Sequence, residues 1–293
     1  MSSRMKSLSC HSEPQQQDLP YTTLAPLPRS KKSNSPFRYP GGKFYARQMI
    51  LEVLPQHDAY CEPFAGGASV FFAKPKSSVS TLNDLDEDVI NTFIQIRDHV
   101  EDLIRLLDGI PATKQNHAYY KDEYQPETDL ERAFRWYYLN RTSYSGIMRA
   151  ENWPPHLRTV SDKLQDVELT RIDSEEAIEA APDSSFLFVD PPYYNADQQK
   201  FYNCTFILND HKRLAKCLKH HSDRVTFLLT YDEHDEVRQL YEWTKSISKK
   251  QWNYTINRTD DQKHGIKKKD GFRRSRYKGC EVFIRNYSVW QGY

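Results

Sequence analysis

A run of four apolar residues, Phe186 to Val189, ends abruptly in Asp190, Pro191, Pro192, Tyr193 and Tyr194. An apolar segment this short, closed by prolines, reads as a buried strand whose last residues spill into a loop. Ligands of open α/β sheets lie beyond the carboxyl ends of the strands, which puts Asp190 at the mouth of a pocket. Pro191 and Pro192 have a fixed φ and no N–H, so their carbonyls stand as acceptors on a rigid frame. Tyr193 adds a flat aromatic face. One carboxylate, one rigid carbonyl and one ring suit a planar amine, with two acceptors for an NH2 group and a surface for stacking. For a bare Asp-Pro, a helix-capping Asp and a turn would be the better reading. The whole DPPY run after an apolar strand favours a binding site.

At 293 residues the chain has room for a full core, as one large domain or as a domain carrying an insertion. Its 41 Lys+Arg balance 40 Asp+Glu, so any nucleic-acid contact must come from local basic clusters. A mean hydropathy of −0.82 and the lack of a long apolar run argue against a membrane partner. No apolar stretch marks a secretory signal near Met1. Cys10, Cys61, Cys204, Cys217 and Cys280 are scattered without a CxxC pair. Free thiols in a reducing cytoplasm are expected, and no metal site is.

Residues 1–34 are rich in Ser, Gln and Pro and read as a disordered tail. In SPFRYPGGK, Gly41 and Gly42 form a turn that lets backbone approach a ligand, and Lys43 opens a helix expected over Phe44 to Leu54. AYCEPFAGGASVFFAKP predicts a strand at Ala59 to Cys61, a glycine loop, and a helix from Ser69 ended by Pro75. Strand, glycine loop and helix is a layout that binds nucleotide-like cofactors, although this is neither GxGxxG nor a Walker loop. A second strand, Ser78 to Leu82, leads to Asp84, placed either to grip ribose hydroxyls or to cap the helix Glu87 to Leu107. Its position after a strand favours the ribose.

The texture changes to aromatic and polar from about Lys114 to Leu164, which reads as an insertion or small second domain with a helix near Leu130 to Leu139. There Asn140, Arg141, Tyr144, Ser145 and Arg149 surround Gly146, as in a turn that projects polar and aromatic side chains. Arg pairs with guanine and an aromatic wedges between bases, but a structural loop fits the same residues. Beyond it the pattern predicts a strand at Val167 to Ile172, a helix at Ser174 to Ala180, and the DPPY strand. Asn209 and Asp210 are placed to cap a helix His211 to His220, ahead of a strand Arg224 to Tyr231 and a helix Glu233 to Trp243. Trp252 to Ile256 and Glu281 to Tyr287 read as paired strands. The basic block between them carries Lys267, Lys268, Lys269, Arg273 and Arg274, suited to a phosphate backbone. Strand alternating with helix, closed by a hairpin, predicts an α/β fold with a mainly parallel sheet and an antiparallel C-terminal edge.

Taken in order, FRYPGGK, YCEPFAGGAS, LNDLDEDVIN, YLNRTSYSGIMR, FVDPPYY and EVFIRNY resemble the Dam-type, D12-class DNA adenine-N6 methyltransferases, from Pro36 to Tyr287. The resemblance implies a class I, Rossmann-like fold that uses S-adenosyl-L-methionine. The catalytic domain would span 35–110 and 165–293, with a helical target-recognition insertion at 111–164. It implies cofactor contacts from Tyr39, Lys43, the Gly41–Gly42 turn, the loop of Glu62, Pro63, Phe64 and Gly66, and the acids Asp84 and Asp190. Asp190, Pro191, Pro192 and Tyr193 would be catalytic. Arg38 would contact a base, Tyr144 intercalate and Arg149 read guanine, with Arg141, Ser145 and the basic block also on duplex DNA. A monomer in a bacterial or phage-infected cytoplasm is implied, with a cognate restriction endonuclease as a candidate partner. Ala68, Ser143 and Ile147 depart from the family pattern, and the recognised sequence stays open. The rival readings are a cytosine-N4 methyltransferase, an amino methyltransferase for RNA or protein, and a DNA-binding relative without activity.

Overall fold

The computed structural model describes residues 33–143, 153–193, 206–253 and 278–288. Tyr144, Ser145, Arg149, Lys267, Lys268, Lys269, Arg273 and Arg274 lie outside them, as does residue range 1–32. Seven strands form one sheet: β1 (Ala59–Glu62), β2 (Val79–Asn83), β3 (Val167–Thr170), β4 (Phe186–Val189), β5 (Thr226–Asp232), β6 (Ser246–Asn253) and β7 (Lys278–Arg285). Their order is β3-β2-β1-β4-β5-β7-β6. The first five are mutually parallel, and β7 runs antiparallel between β5 and β6. All four residues of β4 are buried, as a central strand covered on both faces requires. The chain steps outward from β1 through β2 to β3, then returns to β4 on the other side of β1. The sheet order therefore reverses between β1 and β4, and a crevice opens at their carboxyl ends.

Helices cover both faces. One face holds α1 (Arg47–Leu51), α2 (Ser69–Ala73), α3 (Glu87–Asp98) and α4 (Val100–Leu107). The other packs Ile178 of α8 (Ser174–Ala180), Leu214 and Leu218 of α9 (Leu208–His220), and Val237 of α10 (Asp235–Leu240) against Leu187, Leu229 and Ile284. The insertion contributes α5 (Lys114–Asp122), α6 (Asp129–Thr142) and α7 (Trp153–Leu164). Thr128 and Glu131 start α6 with a reciprocal capping box. Phe134, Tyr137, Trp153 and Leu157 join the same buried cluster as Phe93 and Leu103. The insertion thus shares the core of the sheet domain through α3 and α4. No helix among the described residues is long and apolar enough to cross a membrane.

Several expected boundaries shift. Ser33 and Asn34 belong to the folded body, since Asn34 Oδ1 accepts from Arg47 Nη1 at 2.8 Å. The helix expected from Phe44 begins only at Arg47 and ends at Leu51, before Pro55 is reached. The helix expected over Glu87 to Leu107 breaks at His99, whose φ of −133° is not helical. Apolar spacing continues through the break, so the pattern alone reads as one helix. Asp86, and not Asp84, caps α3 by accepting from Asp88 N. Helix α9 starts at Leu208, so Asp210 sits inside its first turn and accepts from Ile207 N. The last strands run Ser246–Asn253 and Lys278–Arg285, earlier in the chain than expected.

Candidate active site

β4 carries Asp190 to the edge of the crevice, and Lys43 reaches it from the turn before α1. Lys43 Nζ donates to Asp190 Oδ1 at 2.7 Å, and Thr230 Oγ1 on β5 donates to the same oxygen at 2.6 Å. The ammonium also donates to Gly41 O at 2.8 Å. It lies 3.8 Å from Glu281 Oε1 and 4.9 Å from the centre of the Tyr193 ring. Burial works against the cation, but Asp190 and Glu281 outweigh it, and the Lys43 pKa rises above the ordinary lysine value. The Lys43 nitrogen thus lies against the Asp190 carboxylate and over the Tyr193 face. Pro191 is buried and Pro192 half-buried beside it.

Glu281 is the site residue that motif reading missed. Antiparallel pairing sets it opposite Asp232 of β5 and beside Val282, at 2% exposure. Its signal was an acid at the head of an apolar strand, EVFI, where burial is costly without a cation.

The other half of the site is the loop between β1 and α2. Asp84, at the end of β2, holds it: Oδ2 accepts from Gly66 N at 2.7 Å and Oδ1 from Asp86 N at 2.9 Å. Enclosure lifts the Asp84 pKa to about 6, against the two backbone donors that pull it down. Each carboxylate oxygen keeps a second lone pair, so a hydroxyl can still be accepted. Gly66 has a φ of 45°, and a methyl group there would lie 2.7 Å from Cδ1 of Tyr39. Only a residue without Cβ lets the Tyr39 ring lie on the loop backbone. Gly42 N donates back to Tyr39 O at 3.0 Å, closing the PGG turn on the same ring. Pro63 O is fixed by Asn83 Nδ2 at 3.0 Å, and the Phe64 ring meets Phe206 edge to face. Ala68 takes the left-handed conformation, φ 47°.

Two expected site residues play structural parts. Glu62 is buried, and its Oε1 accepts from Tyr60 Oη at 2.7 Å and Phe71 N at 2.8 Å, tying β1 to α2. Burial pushes its carboxyl up to about 8, with those two donors opposing. The unfolded chain ionises near 4.5 while the fold keeps the proton, so stability from the neutral acid is lost as pH rises from about 4.5 through 8. Glu62→Gln keeps the acceptor and never ionises. Its melting temperature is expected to gain on the parent between about pH 5 and 8, and parallel pH profiles would disprove the buried neutral acid. Arg141 was expected to face DNA; the last turn of α6 instead turns it inward, 7% exposed. Its Nη1 donates to Pro36 O at 3.4 Å, and burial lowers its pKa. Arg38 remains exposed beside it.

A reversing parallel sheet with an antiparallel last strand beside β5, and an acid-proline-proline-tyrosine corner at the end of β4, define a class I methyltransferase. The model of the D12 class N6 adenine-specific DNA methyltransferase family matches residues 39–153 and 152–256, and the chain belongs to that family. It is an adenine-specific DNA methyltransferase, which requires a methyl donor. Similar proteins include the type II methyltransferase M1.LlaDCHI of Lactococcus lactis subsp. cremoris, 28% identical over 69% of this chain and 82% of that one. The DNA adenine methylase of Haemophilus influenzae is 24% identical over 74% of this chain and 86% of its own length. The DNA N-6-adenine-methyltransferase of Escherichia phage P1 is 27% identical over 73% of this chain, which spans only 32% of the phage protein.

Proposed function

We propose that this enzyme uses S-adenosyl-L-methionine, takes the target adenine out of duplex DNA onto Tyr193, and presents its N6 to Asp190 and the Pro191 carbonyl. The observation that carries this is the Lys43 ammonium, held 2.7 Å from Asp190 and over the Tyr193 ring: the corner binds a nitrogen donor. The residues around the crevice fit the methyl donor. Gly66 lets the Tyr39 ring lie against the loop backbone, and Asp84 retains acceptor capacity at the end of β2. S-Adenosylmethionine supplies an electrophilic methyl group on a sulfonium sulfur.

The adenine N6 lone pair is delocalised into the ring, so the amine is a weak nucleophile. Asp190 and the Pro191 carbonyl accept its two hydrogens and favour a pyramidal nitrogen with a localised pair. They also stabilise the positive charge that grows on N6, and one N6 proton leaves through the Asp190 carboxylate. As N6 takes its place at Asp190, the Lys43 ammonium keeps Glu281 and Gly41 O as partners. Thr230 holds the carboxylate in orientation throughout. On the DNA side, Arg38, Tyr144, Ser145 and Arg149 read the site, and Lys267, Lys268, Lys269, Arg273 and Arg274 meet phosphates.

Calorimetric titration with S-adenosylmethionine tests the cofactor half. The parent protein is expected to bind it. Gly66→Ala, whose methyl displaces the Tyr39 ring, is expected to bind about tenfold more weakly or worse. Parent-like affinity in that variant would remove the Gly66–Tyr39 contact from the cofactor site, and no binding by the parent would overturn the assignment of the donor.

A further inference from the structure

Residues 33–43 form a strap between the insertion and the glycine loop. Phe37 anchors its middle in the core, with its ring centre 4.8 Å from Phe93 and 4.7 Å from Trp136. Tyr39 lies on Gly66 and Lys43 on Asp190, so the strap's far end belongs to the active site. At its near end His156 Nε2 lies 3.2 Å from Ser35 O, and Arg141 donates to Pro36 O. Between these anchors stands Arg38, whose side chain is exposed and whose backbone N–H and C=O both meet the Asn140 amide. Arg38 N donates to Asn140 Oδ1 at 2.9 Å, and Asn140 Nδ2 donates to Arg38 O at 2.7 Å. The pair fixes its own orientation: turning the amide over would set NH2 against N–H and carbonyl against carbonyl. Two bonds to one residue's N–H and C=O are what a neighbouring antiparallel strand supplies at a hydrogen-bonded position. Here one side chain from the last turn of α6 supplies both.

We propose that Asn140 is a positioning residue for DNA-sequence discrimination, acting through the backbone of Arg38. This rests on the reading of Arg38 as a base contact. An arginine reads a base edge through two parallel bonds whose geometry leaves little tolerance. Its long side chain can hold that geometry only if the backbone it springs from is fixed. Phe37, Tyr39 and Lys43 have anchors of their own, so loss of the amide frees the peptide units around Arg38 and leaves the cofactor loop seated. Among the described residues, the Asn140 side chain bonds to the Arg38 backbone, and its backbone carbonyl accepts from Ser143 Oγ.

The test methylates a genomic DNA library in vitro and reads N6-methyladenine site by site, which defines the preferred sequence and the discrimination at each position. Arg38→Ala is expected to relax one position by about tenfold or more. Asn140→Ala is expected to relax the same position, with S-adenosylmethionine affinity within about twofold of the parent, and to add little in the double variant. Asn140→Asp keeps the acceptor for Arg38 N and loses the donor to Arg38 O, so it should fall between. It also carries the test if the alanine variant melts early. Arg38→Ala with no relaxed position would overturn the base-contact reading, and this proposal with it. Arg38→Ala relaxed, with both Asn140 variants as selective as the parent, would overturn this proposal alone.

Discussion

Replacing Asp190 by alanine is expected to lower the single-turnover rate of methyl transfer, at saturating DNA and cofactor, by about 10³-fold. The carboxylate is the charged acceptor at the corner. Without it N6 keeps only the Pro191 carbonyl, and the charge that develops on nitrogen loses its counterion. Asp190→Asn keeps the shape and an oxygen for Thr230 but not the charge, so a loss of about 10² is expected. The ranking Asp, then Asn, then Ala separates electrostatic assistance from simple space-filling. Both variants also take a partner from Lys43, so each must be shown to melt cooperatively under the assay conditions. An alanine variant that methylates DNA at the parent rate would remove Asp190 from the chemistry.

Lys43→Met is expected to cost about 3–5 kcal/mol of stability, the range for removing one partner from a buried ion pair. In the parent one enclosed ammonium serves Asp190 at 2.7 Å and Glu281 at 3.8 Å. Its raised pKa keeps that contribution complete below the ordinary lysine value of 10.5, and it is lost only as pH climbs beyond. Methionine of similar length leaves two carboxylates facing each other across an apolar chain. Adding Glu281→Gln to Lys43→Met removes one of those charges and should return a large part of the loss, a non-additivity readable in urea or thermal melts. A loss in the single variant below about 1 kcal/mol, the level of an exposed pair, would mean the site is wetter than the burial indicates.

The sheet was legible where strands are buried on both faces. FLFV reads as a buried strand and RVTFLLTY as a strand from their unbroken apolar runs, and β4 and β5 lie side by side in the middle of the order. β6 was not legible in the same way, because SISKKQWN has no apolar run and owes its strand form to pairing along all of β7. The break at His99 escaped because it does not disturb the apolar spacing of Val89, Phe93, Val100, Ile104 and Leu107. In the site, the motifs located Asp190, Lys43 and Asp84 singly, each from its place after a strand or turn. The Lys43–Asp190 pair and the Asp84–Gly66 bond are tertiary and leave no local trace. Glu281 went without a role because an acid beginning a strand is usually solvated. Arg141 read as a DNA contact beside Asn140, but one helical step of about 100° turns it under Pro36. The Asn140 amide, read as part of a DNA-facing turn, is spent on the backbone of Arg38.

Duplex DNA incubated with this protein and S-adenosylmethionine carrying a labelled methyl group, then digested to nucleosides, offers the shortest route to a decision. The label is expected in N6-methyldeoxyadenosine with the parent enzyme and to be nearly absent with Asp190→Ala. Label in N4-methyldeoxycytidine, or equal label in N6-methyldeoxyadenosine from both proteins, would contradict an adenine amine held by the Asp190 carboxylate.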